Sequence, residues 1–499
     1  MNALKQLASQ TAIYGLSSIV GRILNYFLTP LLTFVFLPEE YGVNAEIYAY
    51  VSFFIVILTY GMETGFFRFS NSQEETKKVY QTALISLAAT SSIFILLGLF
   101  FSGGLASVVG YPDRPDFIIY VVLILGIDAF CSIPLASLRK ANEAKRFAII
   151  NLVSIGVNIF FVVFFVWFGK YYHDTSTWCW LSDTIYSPSI GIGYVFIANL
   201  LASISKLVLL RKEIRFDFAF FDADLLKKLL LYSSPLLLAG IAGIINETLD
   251  RILLKRILAS MYDTTYALTQ VGIYGGVYKL SILITLFIQA FRYAAEPFFF
   301  SKQNDKDANL TYSMVMTYFV ITVSSIFLGI VLFIDVFKWF IPNQEYWVGL
   351  TVVPILLIAN IFLGVYFNQS IWYKLSGKTK YGAYIAGVGA IITILLNVIF
   401  IPYFGFVASA WTTLIAYGTM MAVSYYLGQK HYPIKYNVKK VSFYFFSALG
   451  LFFVSKGIDL LISDSLFIKL FIHAILFLVY VWFIYIIEKP QLKALFKRT

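Results

Sequence analysis

Fourteen stretches of this chain are long and apolar enough to cross a hydrocarbon layer, and they restrict the fold more than any motif does. A spanning helix needs about 20 mostly apolar residues. The stretches are 11–36, 43–67, 79–101, 116–137, 147–168, 189–210, 227–249, 271–297, 312–337, 348–372, 381–401, 405–428, 441–461 and 466–487. Hydrocarbon offers no partner to a backbone N–H or C=O, so each stretch must close its hydrogen bonds within itself as a helix. The expected fold class is an all-α polytopic membrane protein of about 14 transmembrane helices. At 60% hydrophobic and 13% charged residues, a water-soluble domain is excluded, since such domains are roughly half apolar and about a quarter charged.

Charge orients the spans. The net charge of +11 does not indicate nucleic-acid binding, because the basic residues lie in short connectors and not on one soluble face. With the N-terminus placed inside, the inner connectors and span ends hold 28 of the 38 Lys and Arg and the outer ones hold 8. That asymmetry obeys the positive-inside rule and puts both termini in the cytoplasm. The outer connector after the seventh segment, with Arg251, Lys255 and Arg256, fits least well. The two cysteines and three histidines have no pairing or ligand spacing, so no metal or cofactor is expected. The first segment is too long for a cleavable signal peptide, and it carries Arg22 where such a peptide is purely apolar.

No connector is long enough for a soluble domain. The longest outer one, 169–189, holds Asp174, Asp183, Trp178 and Trp180, the two tryptophans suited to an interface. The longest inner one, "RKEIRFDFAFFDADLLKK", alternates charge and aromatics like a surface-lying amphipathic stretch and falls midway through the first twelve segments. A repeat supports a division there. "EEYGVNAEIYAYVSFFIVILTYGMETGFFRFS" and "TQVGIYGGVYKLSILITLFIQAFRYAAEPFFFS" both enter at a glycine, Gly42 or Gly272, and both end on a Phe-rich run before Ser70 or Ser301. The basic hairpins "LRKANEAKRF" and "WYKLSGKTKY" repeat at a similar offset. The expected organisation is an N-terminal lobe over 1–210, a cytoplasmic linker over 211–228 and a C-terminal lobe over 229–430. Residues 431–499 then form two extra helices, poor in polar residues, and a cytoplasmic tail. Lobes related in this way are common in secondary transporters.

Arg22, in "SSIVGRILNYFLTP", sits near the bilayer midplane, where a charge costs at least about 2.5–3.5 kcal/mol. Ser18, Asn25, Tyr26 and Thr29 extend it into a polar stripe. It is either a ligand for an anionic substrate group or half of a structural ion pair, with Asp128 as the candidate partner. In the seventh segment Asn246, Glu247 and Asp250 form an acidic patch that either serves a cation or proton or pairs with Arg251 or Lys255. Lys279 lies about a third of the way across the eighth segment, lining a cavity or snorkelling. Glu63 with Arg68, and Arg292 with Glu296, occupy equivalent inner ends of the second and eighth segments, as gates or as interface anchors.

There is no phosphate-binding Gly-rich loop and no Gly-rich dinucleotide turn. The outer loops offer no evident acid–base machinery, so the chain is not expected to be an enzyme. The succession "SSIVGRILNYFLTPLL", "LPEEYGV", "GMETGFFRF", "VGIYGGVYKLS", "FRYAAEPFFF" and "KLSGKTKYGAYIAG" resembles the polysaccharide (O-antigen and oligosaccharide lipid) flippases of the MOP exporter superfamily. The resemblance covers essentially the whole chain. It implies two six-helix lobes around a cavity open alternately to each side, in a bacterial inner membrane. It also implies that undecaprenyl-pyrophosphate-linked oligosaccharide moves to the outer leaflet for surface polysaccharide or lipopolysaccharide synthesis. Arg22 and Lys279 match basic positions of that family, followed by Arg292 and Arg68, and the last two helices would line a groove for the lipid tail. The expected partners are this substrate, membrane lipids and other polysaccharide-assembly proteins, with the chain itself a monomer. Two alternatives stay open: a multidrug or cation antiporter of the same superfamily, and a membrane glycan polymerase or ligase. A sodium or proton cycle would draw on Asp128, Glu63, Glu247 or Asp250.

Overall fold

The computed structural model describes residues 19–70, 73–169, 186–303, 305, 307–461 and 465–496. Ser18 and the outer connector with Asp174, Trp178, Trp180 and Asp183 lie outside this set. Among the described residues there is no strand. Twelve helices are long and apolar enough to cross a membrane, and two further apolar helices are shorter. In chain order the fourteen are α1 (Ile19–Val35), α2 (Pro38–Phe69), α3 (Glu74–Phe100), α4 (Pro115–Lys140), α5 (Ala144–Gly169), α6 (Gly193–Leu209) and α7 (Ala223–Met261). They continue as α8 (Thr264–Ser301), α9 (Ala308–Leu332), α10 (Gln344–Leu375), α11 (Lys380–Phe404), α12 (Phe406–His431), α13 (Val438–Leu461) and α14 (Leu466–Pro490).

The chain forms two compact units. One comprises Met1–Gly275 with Thr393–Phe406; the other comprises Gly276–Ile392 with Val407–Thr499. The boundary between them falls within α8, within α11 and at the start of α12, whereas the linker expected at 211–228 belongs to the first unit.

Two helices run well past their expected ends. α7 has 39 residues and α8 has 38, about 58 Å each at 1.5 Å per residue. The stretch "DRILLKRILAS" contains no breaker and is rich in strong helix formers, so α7 continues through it. Arg251, Lys255 and Arg256 are therefore helix residues and not part of an irregular connector.

In the first unit α4 packs against α2, α3, α5 and α6, and α7 packs along α2. α2 is broken at Tyr60 and Gly61, both in the left-handed region (φ 33° and 68°). At the break the Gly61 carbonyl accepts from the backbone N–H groups of Thr64 and Gly65, and also a 3.1 Å hydrogen bond from Ser233 Oγ of α7. Beyond it Met62 and Phe66 enter a core with Leu84, Leu87, Ile133 and Leu229. The 211–228 stretch is tied to α3 through Lys77–Asp217 (3.1 Å) and Lys78–Asp222 (2.5 Å), leaving Phe216 and Phe218 exposed. The Lys78 ammonium, hydrogen-bonded to it, holds the Asp222 carboxyl below the ordinary carboxylate range.

In the second unit α9 packs against α10, α13 and α14. Gly364 of α10 admits Phe319 of α9 and Ile288 of α8. Trp372, Tyr373, Tyr417 and Met420 form a core between α10 and α12. The last two helices are not as poor in polar contacts as their sequences suggest. Near one end Glu488 accepts from Lys440 Nζ (3.0 Å) and from the Tyr444 hydroxyl, and His473 is buried near the other end.

The repeat glycines meet each other within the first unit. A Cβ on Gly272 would sit 1.7 Å from the Pro38 carbonyl oxygen, and one on Gly42 would sit 2.0 Å from the Leu268 carbonyl oxygen. The two helices cross backbone to backbone, where only hydrogen side chains fit. Gly42→Ala and Gly272→Ala are each expected to destabilise the protein by about 1–3 kcal/mol. The control Gly156→Ala, where a new Cβ meets nothing within 4 Å, is expected to be near neutral. Thermal unfolding of the detergent-purified protein checks both.

Candidate functional site

Four groups of polar and ionisable residues in the spans bear on the site expected from the sequence. In the first, α1 lies close to α5: a Cβ on Gly21 would come within 2.4 Å of Ile155, so the glycine brings the two helices together. One residue on, Arg22 is exposed, and it makes no ion pair among the described residues. Asn25, also exposed, accepts from Asn158 Nδ2 of α5 at 3.4 Å. Tyr26 is half-buried, and Thr29 is buried under a 2.9 Å bond from Thr33 to its carbonyl.

The second group answers one question about Arg22. Asp128 of α4 is held by Lys206 of α6 at 2.8 Å, so it is not the partner of Arg22. Beside this pair, Asn199 of α6 donates to the Tyr48 hydroxyl of α2 at 2.6 Å, and the Ser154 hydroxyl of α5 donates to the Ala202 carbonyl. The interior of α2, α4, α5 and α6 is thus stitched by polar contacts. Lys206 ends an apolar segment and reads in the sequence as a connector base; its role as an internal partner is a matter of tertiary position.

The third group lies near the start of α2 and the end of α7, and its Glu46–Lys255 pairing was not expected from the sequence. Glu46 is fully buried and Lys255 is 3% exposed, with Nζ and Oε2 2.9 Å apart. Tyr111 donates to Glu46 Oε2 at 2.5 Å, Lys255 donates to the Val109 carbonyl at 2.8 Å, and the ammonium sits 3.6 Å from the Tyr111 ring centroid. Burial pushes the Tyr111 phenol well above its ordinary value. The one signal for this cluster was an acid one turn into an apolar run, in "NAEIYAY". The Asn246, Glu247 and Asp250 patch is divided by helix geometry. Asn246 accepts from Thr393 at 3.1 Å. Asp250 accepts from the Tyr274 hydroxyl at 2.7 Å and lies 3.2 Å from Arg251. Glu247 points to the exposed side. Among the described residues no group of three His, Cys, Asp or Glu is placed to hold a metal ion.

The fourth group shows the repeat in ion pairs. Glu63, at the end of α2, pairs with Arg139 of the first basic hairpin at 2.5 Å. Glu296, at the end of α8, pairs with Lys374 of the second hairpin and lies 4.0 Å from Arg292. The acid of each repeat is therefore fastened to the hairpin of the same repeat, a partner that its neighbours in sequence do not reveal. Arg68 is exposed, while the Arg292 guanidinium stacks 4.1 Å over Phe367. Lys279 is half-buried on α8.

The family model described as polysaccharide biosynthesis protein matches residues 7–303. No curated protein sequence matches significantly. Among solved structures, the lipid II flippase MurJ in an inward closed conformation is similar with a TM-score of 0.71 and 16% identity, covering 95% of this chain and 98% of that one. An inward-facing multidrug resistance MATE family transporter of the MOP superfamily gives 0.63 at 13% identity, over 82% and 94%. An outward-facing one gives 0.56 at 13%, over 84% and 94%. At such identities the likeness is one of fold.

The Glu46–Lys255 pair makes a sharp energetic prediction. Removing one partner leaves an uncompensated buried charge, at about 3–5 kcal/mol. Lys255→Met is expected to lose that much stability, and Lys255→Met with Glu46→Gln is expected to recover most of it. A double-mutant cycle on thermal unfolding measures the difference.

Proposed function

The chain belongs to the polysaccharide biosynthesis protein family and shares its fold with MOP-superfamily transporters, and from that premise we propose that it moves a lipid-linked oligosaccharide across a membrane. The substrate in this reading is an undecaprenyl-pyrophosphate-linked glycan, taken from the inner to the outer leaflet of a bacterial inner membrane by alternating access. No covalent step is involved, so the protein is not an enzyme. The barrier to the movement is solvation. A sugar chain entering hydrocarbon leaves its hydroxyls unpaired, at a cost of several kcal/mol each, and a closable polar path removes that cost.

Arg22 carries the proposal. It is an exposed guanidinium on an apolar helix, with no ion-pair partner among the described residues. Facing lipid it would be strongly unfavourable, so its surroundings are water or an anion. A guanidinium is suited to the bidentate geometry of a pyrophosphate. Asn25 and Tyr26 extend the same surface toward sugar hydroxyls. Lys279, Arg292 and Arg68 are the further basic contacts in this reading, and the ion pairs of Glu63 and Glu296 with the basic hairpins serve as gates. Sodium or proton coupling would fall to Asp128, Glu247 or Asp250.

The antiporter reading draws support from the MATE structures and from the exposed Glu247. Against it, a cationic drug needs free carboxylates, and Asp128, Glu63, Asp250, Glu296 and Glu46 each hold a cationic or hydroxyl donor.

Flipping of a labelled lipid-linked oligosaccharide in proteoliposomes tests the proposal. Arg22→Ala is expected to lower the rate at least about tenfold, the equivalent of about 1.4 kcal/mol. Arg22→Lys is expected to keep part of it. Unchanged flipping in Arg22→Ala would remove the pyrophosphate role. Efflux of a cationic dye by the wild type, with no flipping, would favour the antiporter.

A further inference from the structure

The least expected ionisable group in the second unit is His473 of α14. It is 4% exposed. Its Nδ1 lies 2.7 Å from the carbonyl oxygen of Leu332, at the end of α9. Its Nε2 lies 3.2 Å from Oδ1 of Asp459 on α13. One histidine ring of α14 thus touches two other helices, through two oxygen atoms.

The proton count on this ring does not close. A neutral imidazole has one N–H and one lone pair, whereas a carbonyl oxygen only accepts. Nδ1 must therefore carry the hydrogen, and it donates to Leu332. Nε2 is left with a lone pair facing the lone pairs of an ionised Asp459. As placed, Nε2 and Oδ1 are both buried and neither has a hydrogen-bond partner, although only 3.2 Å separates them. One additional proton removes this repulsion. On Nε2 it makes an imidazolium ion-paired with the carboxylate at 3.2 Å; on Oδ1 it makes a neutral carboxylic acid beside the neutral ring.

We propose that the His473–Asp459 pair, set between α9, α13 and α14, is a proton-binding site whose occupancy fastens the last two helices to the end of α9. The site is separate from the residues assigned to substrate above, and it does not rest on that assignment.

The surroundings fit a proton and not a larger ligand. The histidine is sealed, while the Asp459 side chain is 23% exposed, so the proton enters past the carboxylate. The other charged groups toward this end of these elements include Lys456, with Nζ 3.9 Å from Asp459 Oδ2, Lys469 one turn before His473, and Asp335, which follows α9 and is held by Lys338 at 2.7 Å. Asp464 lies outside the described residues. Lys456, with its side chain 51% exposed, meets the opposite carboxylate oxygen and does not supply the hydrogen that Nε2 and Oδ1 lack. The polar contact near the other end of the same two helices provides a contrast. Glu488 there accepts from Lys440 and Tyr444, both of which bring their own hydrogens, so that contact needs no added proton.

The experiment uses the full-length protein, labelled with 15N-histidine and 13C-aspartate, in lipid nanodiscs. The chain has three histidines, so loss of one ring signal in His473→Gln assigns the residue. Where that variant fails to fold, single replacement of His173 and His431 assigns it by elimination. At a pH where the other two rings have become neutral, the expected result is a His473 ring with hydrogens on both nitrogens, or a neutral ring beside a protonated Asp459 carboxyl. Asp459→Asn is expected to abolish the extra proton at that same pH. Hydrogen exchange over 445–480 is expected to quicken as the wild type loses the proton, and to be pH-independent in Asp459→Asn beyond the intrinsic exchange rate. A singly protonated His473 beside an ionised Asp459 at every pH where the protein stays folded would overturn the proposal. An unchanged His473 titration in Asp459→Asn would also overturn it.

Discussion

Hydrocarbon cannot hydrogen-bond, and each polar group placed at membrane depth in this chain has to be answered from within the protein. The backbone meets that demand by forming helices. The side chains meet it by pairing: Asp128 with Lys206, Glu46 with Lys255 and Tyr111, Asp250 with Tyr274 and Arg251. Once these are closed, the groups that remain open become informative. Arg22 is exposed without an ion pair among the described residues, and the His473–Asp459 pair is one proton short of closing.

The internal repeat acts at two levels. Its acids, Glu63 and Glu296, are each tied to the basic hairpin of their own repeat, so both stretches have the same pattern of ion pairing. Its entry glycines, Gly42 and Gly272, are in contact with each other's helices, and a side chain on either would collide with a carbonyl oxygen. Equivalent positions thus serve a shared local role in one case and a mutual contact in the other. The fully buried Glu46 departs from the pattern: the residue 230 positions on is Gly276, against which the Tyr346 ring packs. A polar partner in one copy stands where ring packing occurs in the other.

Much of the architecture was legible because it depends on run length and charge. Fourteen apolar runs correspond to fourteen helices, since a run of that length has no other stable state in a bilayer. The end of α7 was misplaced, because the apolar count stops at 249, before Asp250 and Arg251, while helix propensity continues through Leu253 and Leu254 to Met261. The scarcity of polar residues expected in α13 and α14 was also misleading. Few such residues are present, but Glu488, Tyr444, Asp459 and His473 turn inward and meet partners, which no periodicity announces.

The sequence alone determined the class of the molecule, the number of its spans, its repeat and the presence of a guanidinium within the first helix. Those features follow from composition along the chain, where the cost of leaving water is a local quantity. The tertiary structure decided the pairings: that Lys206 and not Arg22 neutralises Asp128, that Lys255 turns to Glu46 and not to Asp250, and that His473 faces two acceptors. Each of these joins residues at least 14 positions apart in the chain. Coulomb attraction and hydrogen bonding at 3 Å depend on which helices are adjacent in space, and packing alone decides that.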